Sequence, residues 1–407
     1  MLPKHVNALI ERRVFMNPTS KNELNRRAFI KAGVVGTAAA LLAPPVLADT
    51  LQQMADADPP AFPKPVYRTL GRTGLKITTV SFGAMLTPEP EVIRVAIEHG
   101  VNYIDTARKY MNGKNEEIVG KAVKGMRDKL YIATKTLPES KSKSEIVRDV
   151  ETSLKALGTD YIDVIQLHHL TGKERIFFPE TREALAQLKK QGKVRFCGVT
   201  THKNEDEVLN GLAADPDRFF DTCLVKYNFK TDKNVSTAID RAATAGIGII
   251  AMKAMIGGYD VTGMGRITPF QAALKWVLQN PKVTAAIPGM KDMAQLREDI
   301  AVMGMPFTYA DLRRLDHYEQ AIAPFYCTFC GTCEAGCPHG VEVSTVNRAL
   351  MYAEGGYRNM SLARDTYAEL PLQTSAATCL DCEGCRARCI NGLDIASKMN
   401  HARAVLS

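Results

Sequence analysis

Between residues 79 and 288 the chain repeats one pattern eight times: a short apolar run followed by a longer amphipathic stretch. The runs are 79–84, 102–106, 130–135, 161–168, 194–200, 222–228, 248–254 and 284–288, and the amphipathic stretches include 144–157 and 180–190. The runs are rich in Ile, Val and Leu and alternate little, as expected where both faces of a parallel sheet are buried. Eight strand–helix units in about 240 residues match a (β/α)8 TIM barrel in number and length. The barrel is expected to occupy residues 66–323, with residues 67–77 forming a hairpin across its floor. A doubly wound sheet would carry a G-x-G-x-x-G fingerprint after its first strand, and none is present.

In such a barrel, chemistry gathers at the C-terminal ends of the strands. The second run ends in Asp105, with Tyr110 just beyond it; the third ends in Lys135 and the fourth in His168-His169. Together these four side-chain types form a proton-donating device. A phenol has a reference pKa of about 10, and an ammonium held by a carboxylate is expected to make Tyr110 a better donor. His168 can orient a carbonyl oxygen or relay the proton, while His169 reads as structural. Tyr67–Leu75, Tyr103–Ala107 through Tyr110 and Glu116-Glu117, and Asp163–His168 resemble the aldo/keto reductase superfamily, as do Gly192–Arg195 through Gly198 and Ile287–Gly289. The resemblance implies that Tyr110 is the proton donor, supported by Lys135 and Asp105 with His168 beside it, and that the substrate is a small carbonyl or alcohol.

The resemblance also implies an extended NADP(H) over the barrel mouth, and there the match departs. The positions that hold the carboxamide are Thr200, Thr201 and Leu224; Thr200 keeps a hydroxyl, and Leu224 cannot hydrogen-bond. Met252, next to Lys253, stands where an aromatic residue stacks on the nicotinamide, and gives a looser platform. Gly289 and Gln295 replace the Lys and Arg that grip the 2′-phosphate, with Lys291 as a partial substitute, and Asp299 stands where an Asn meets adenine. A guanidinium binds phosphate through paired hydrogen bonds that Gln cannot supply. The expectation is a nicotinamide pocket of altered selectivity, for NADP(H) or NAD(H).

Residues 324–407 carry eight of the ten cysteines in two quartets: Cys327, Cys330, Cys333 and Cys337, then Cys379, Cys382, Cys385 and Cys389. Each reads C-x2-C-x2-C-x3-C, the spacing of a [4Fe–4S] loop whose fourth cysteine ligates the neighbouring cluster. Two clusters with exchanged fourth ligands are expected. Zinc ribbons use separated CxxC pairs, and cysteines three apart seldom form unstrained disulfides. The 41 residues between the quartets contain helical patterns at 341–355 and near 360–370, so this part resembles the α-helical ferredoxin domain of respiratory iron–sulfur subunits. Cys197 and Cys223 sit singly on apolar runs and read as core.

Asn25-Arg26-Arg27-Ala28-Phe29 resembles a twin-arginine export signal, followed by an uncharged stretch of about seventeen residues ending in Val46-Leu47-Ala48. That stretch is too short and weakly apolar for a membrane span. Residues 1–48 are read as a signal peptide that engages the twin-arginine translocase, and 49–65, with Pro59, Pro60, Pro63 and Pro65, as a linker. The route suits a protein folded around its clusters and implies an extracytoplasmic, periplasmic location. Of the net charge of +8, five units lie in the first 48 residues and three remain beyond them, which leaves no nucleic-acid footprint.

Hydride transfer moves two electrons and each cluster moves one, so enzymes that join them normally interpose a flavin. Barrels hold flavin without a sequence signature, so flavin stays open beside a nicotinamide. The expected function is an exported iron–sulfur oxidoreductase exchanging electrons with a partner protein. The alternative is an electron-transfer or interaction protein on an inactive barrel.

Overall fold

The computed structural model describes residues 62–259, 267–382 and 384–406. The twin-arginine signal expected within 1–48 and most of the linker expected at 49–65 lie outside the described residues. The chain opens with an antiparallel hairpin, β1 (Tyr67–Thr69) and β2 (Lys76–Thr78). Gly71 in its turn has φ +50, and a Cβ there would stand 2.3 Å from the Gly248 nitrogen. Glycine therefore lets the hairpin press against the barrel floor, where the Arg72 N–H donates to the Gly246 carbonyl at 2.8 Å.

Eight parallel strands follow in sequence order: β3 (Phe82–Gly83), β4 (Tyr103–Asp105), β5 (Tyr131–Lys135), β6 (Ile162–Leu167), β7 (Val194–Thr201), β8 (Thr222–Lys226), β9 (Gly248–Met252) and β10 (Val283–Ala286). Parallel bridges Val80–Ala286 and Gly83–Gly289 join the first strand region to the last and curl the sheet round on itself. Inside it pack Leu70, Tyr103, Val164, Leu224 and Ile250, with Leu70 plugging the floor.

The helices α1 (Pro90–Glu98), α2 (Asn115–Val123), α3 (Lys143–Leu157), α4 (Pro179–Lys190), α5 (Glu205–Ala213), α6 (Lys233–Thr244), α7 (Pro269–Leu278) and α8 (Met293–Ile300) bury one apolar face each against the strands. Their ends follow local chemistry. Pro90, Pro179 and Pro269 begin helices, where a missing N–H costs nothing. Ser142 and Glu145 form a capping box on α3, which stops at Gly158 in the left-handed region. Among the described residues, no helix is long and apolar enough to cross a membrane.

The chain then continues as α9 (Tyr309–Ile322), α10 (Val343–Glu354), α11 (Met360–Tyr367) and α12 (Ile395–Leu406). These helices share one apolar core with residues at the barrel mouth: Ile256 and Tyr318 pack with Val346, Leu350, Met351 and Met399. The Gly356 N–H donates to the Gly257 carbonyl at 3.1 Å. A Cβ on Gly356 would stand 1.7 Å from the Gly258 carbonyl oxygen, so this approach is open to glycine alone. The segment after residue 324 thus lies against the C-terminal ends of the barrel strands.

Candidate active site

The four residues expected to act together are together. Asp105 and Lys135 end neighbouring strands β4 and β5 and are 2% and 1% exposed. The Lys135 ammonium donates to Asp105 Oδ1 at 2.5 Å and to the Thr106 carbonyl at 2.7 Å. It also lies 4.7 Å from the centre of the Tyr110 ring, whose edge-on neighbour is His168, with centroids 6.1 Å apart. Tyr110 stands in a 3-10 turn after β4, and Met111 and Asn112 behind it take φ of 52 and 54. Such left-handed, non-glycine backbone is costly and persists only where the surrounding structure imposes it.

One expectation is corrected. Lys135 was expected to make the Tyr110 phenol more acidic, yet burial, reinforced by the Asp105 carboxylate, pushes its pKa well above the ordinary value. The ammonium is itself buried, which lowers its pKa although Asp105 raises it, and its charge is matched by the carboxylate it touches. Burial likewise holds His168 well below its usual range, with Lys135 adding to the effect, so the imidazole is neutral. Its Nδ1 is buried without a hydrogen-bond partner. The site therefore offers a phenol that keeps its proton and an uncharged imidazole beside it.

Several contributors were given no role from the sequence. Gln166 donates to Asp105 Oδ2 at 2.9 Å. It lies two residues before His168, and strand periodicity places both on the inner face, so a signal was present. Glu116 accepts from Arg108 at 2.7 Å and Thr134 at 2.6 Å. Arg348 and His202 meet at 3.0 Å from segments 146 residues apart, for which no local signal exists. His169, read as structural, takes φ +55 and packs its ring 4.0 Å from that of His202.

The residues expected to hold a dinucleotide fit an extended NADP(H) poorly. Thr200 Oγ1 accepts the His169 N–H at 2.8 Å, and Thr201 Oγ1 donates to the Leu170 carbonyl at 2.8 Å. Leu224 is sealed inside the barrel. Lys253, beside the half-buried Met252, has its ammonium against Phe329 and Tyr352 of the C-terminal segment. Lys291 donates from its ammonium to the Tyr357 carbonyl at 2.5 Å, and its N–H is taken by Gln295 Oε1 at 2.9 Å. Gly289 offers no side chain, and burial holds the Asp299 carboxyl well above the carboxylate range. The C-terminal segment therefore occupies much of the ground that such a cofactor would cover.

The cysteines fall into two groups that mix the quartets. Burial pushes the Cys327 thiol up to about 12; Cys333, Cys330 and Cys389 are the thiols that act on it. Burial also raises the Cys379 pKa, and its neighbours are Cys337, Cys382 and Cys385. Backbone N–H groups point at two sulfurs, Phe329 to Cys327 at 3.4 Å and Asn391 to Cys389 at 3.3 Å. Such donors are suited to cluster-bound thiolates. Among the described residues, no three His, Cys, Asp or Glu side chains converge tightly enough to hold a single metal ion, whereas a cubane spreads its thiolates more widely. Cys197 and Cys223 are fully buried in the barrel core.

Comparison with known proteins agrees with this geometry. The aldo/keto reductase family model matches residues 87–262 and 260–320. The aldo-keto reductase YhdN of Bacillus subtilis is 36% identical over 160 residues, 34% of this chain and 48% of that protein, so the chain spans about half the length of that relative. The methylglyoxal reductase YeaE of Escherichia coli is 27% identical over 244 residues, 56% of this chain and 83% of that protein. An aldo-keto reductase from Klebsiella pneumoniae solved in complex with NADPH shares 25% identity at a TM-score of 0.53, covering 62% of this chain and 95% of that one. The family match runs through the strands that carry Asp105, Lys135 and His168 and the loop of Tyr110, over more than half of the sequence. The chain belongs to the aldo/keto reductase family.

Proposed function

We propose that this protein is an exported iron–sulfur oxidoreductase that interconverts a carbonyl and an alcohol, with Tyr110 as the proton donor. The observation that carries the reading is the buried Lys135–Asp105 pair set against the Tyr110 ring, with neutral His168 at its edge. In reduction, the substrate oxygen would lie between the Tyr110 hydroxyl and the His168 ring. A nicotinamide, when bound, would supply the hydride that the carbonyl carbon takes up. As negative charge develops on the oxygen, Tyr110 delivers the proton that its raised pKa holds in place until a more basic alkoxide forms. His168, uncharged, orients the oxygen without competing as an acid.

Cys327, Cys330, Cys333 and Cys389 would hold one [4Fe–4S] cluster, and Cys379, Cys382, Cys385 and Cys337 the other, in an α-helical ferredoxin-like domain. When bound, the clusters exchange single electrons with a partner protein. The grouping of the thiols and the N–H donors on Cys327 and Cys389 support this part. Residues 1–48 would direct the folded protein through the twin-arginine translocase to a periplasmic site.

The test uses the full chain prepared without oxygen. Iron and sulfide analysis should give about eight of each per chain. Turnover is assayed with methylglyoxal, the compound in the name of the E. coli relative, supplied with NADPH, NADH or a reduced viologen. Consumption with at least one donor is expected, and Tyr110→Phe should lower it about 10²–10⁴-fold with iron content unchanged. Equal rates in the variant would contradict the role of Tyr110. A second reading, electron transfer on an inactive barrel, is favoured by the Lys291–Tyr357 contact across the cofactor ground, and it predicts that Tyr110→Phe changes nothing.

A further inference from the structure

We propose that the barrel mouth contains an anion site centred on Lys253, and that the substrate of this oxidoreductase is a carbonyl compound bearing a carboxylate. The substrate class rests on the function proposed above; the anion site does not. Lys253 follows β9, and its ammonium is buried with no hydrogen-bond partner. The faces of Phe329 and Tyr352 lie 4.9 and 5.5 Å from it. Buried ammonium groups are normally paired, because removing one from water without an acceptor is costly.

Its surroundings deepen the deficit. Arg348 and Lys226 are the strongest charges acting on Lys253, and both are positive. Two carboxylates nearby are already engaged. Glu369 takes Arg348 at 2.9 Å and Lys109 at 2.7 Å. Glu205, which also acts on Lys253, takes Lys226 at 2.8 Å. Cys327, the other negative group in reach, belongs to the first quartet. Arg348 Nε is a second buried donor without a partner, and His168 Nδ1 is a third buried polar atom in the same state.

The backbone points the same way. His169, Lys253 and Phe329 take φ of 55, 56 and 62, and none is glycine. Lys253 contacts the Phe329 ring and acts on His169. Strained residues that converge on one point mark a geometry held for use. The Tyr352 ring ties the point to the reaction centre, since it faces Lys253 while its phenol feels both Arg348 and Tyr110. A carboxylate between Lys253 and Arg348 would accept from both, leaving the carbonyl end of a small molecule to reach Tyr110 and His168.

The probe is oxalate, titrated calorimetrically into the full chain with its clusters. Wild type should bind it, Lys253→Met at least tenfold more weakly, and Lys253→Arg close to wild type. Glyoxylate should displace oxalate competitively. Lys253→Met must retain its iron and melting temperature; Lys253→Arg keeps the test open if it does not. Absent oxalate binding in wild type, or equal binding by Lys253→Met, overturns the proposal. So does a Lys253→Met variant that loses NADPH but not oxalate, which would assign the ammonium to a dinucleotide phosphate. Oxalate binding without turnover of any carbonyl would keep the site and remove the proposed function; methylglyoxal turnover without oxalate binding would do the reverse.

Discussion

The two sides of the barrel mouth are built differently. On one side Asp105, Lys135 and Gln166 come from adjacent strands, lie inside the barrel and meet through hydrogen bonds within it, with His168 just past the end of β6. On the other, Lys253 and Lys291 follow the last strands and meet residues from beyond position 324, while Gln295 accepts from the Lys291 N–H. The first side depends on the sheet alone, the second on how the C-terminal segment lies over it. A barrel can therefore keep its proton-donating apparatus while the ground beside it is rebuilt.

The sharpest way to break this comparison is to remove one lysine from each side. Lys135→Met leaves the buried Asp105 without its counter-charge and with Gln166 as its remaining donor, and should cost about 3–5 kcal/mol in denaturant unfolding, along with turnover. Lys291→Met removes a hydrogen bond to a carbonyl at the rim, and should cost only about 0.5–1.5 kcal/mol. Equal costs would erase the distinction. Next, Gly356→Ala forces a methyl group against the Gly258 carbonyl. It should destabilise by about 1–3 kcal/mol and speed hydrogen exchange in α10 while β4–β6 stay protected.

The pH profile sharpens the donor side. Tyr110 must be protonated to donate, and burial raises its pKa above the ordinary phenol value. Reduction should therefore hold its rate from pH 6 to 9 and fall only as pH rises through that raised pKa. A fall near pH 7 would point to His168 as the donor, against its depressed pKa. The smallest effect lies far from the mouth. Hydrogen bonds from Ser142 and Lys141 lower the Glu145 pKa from 4.5 to about 2. The stability this gives is present above pH 4.5 and lost as pH falls toward 2, so Glu145→Gln should flatten the melting-temperature slope in that window.

Much of the donor side was readable from residue pattern, because buried parallel strands must be apolar and their polar ends then stand out. Seven of the eight expected strands reappear with ends shifted by at most two residues. The first shrinks to Phe82–Gly83, since Val80 and Gly83 join the last strand only through single bridges. The helix expected at 341–355 is Val343–Glu354. The direction of the Tyr110 shift was not readable, because charge neighbours can be guessed from strand order but burial cannot. The roof over the mouth was equally hidden. It depends on Gly356 reaching Gly258 and Lys291 reaching Tyr357, contacts across 66 residues or more with no periodic pattern behind them.

The central claim is that the donor side is intact while the grip on a 2′-phosphate has been replaced by contacts to the C-terminal segment. The direct measurement is the affinity of the full chain for NADPH against NADH by calorimetric titration. With Lys291 tied to Tyr357, Gly289 lacking a side chain and Gln295 in place of a guanidinium, the two should bind within a few-fold of each other, or neither at all. NADPH binding a hundredfold or more tighter than NADH, about 2.7 kcal/mol, would contradict it.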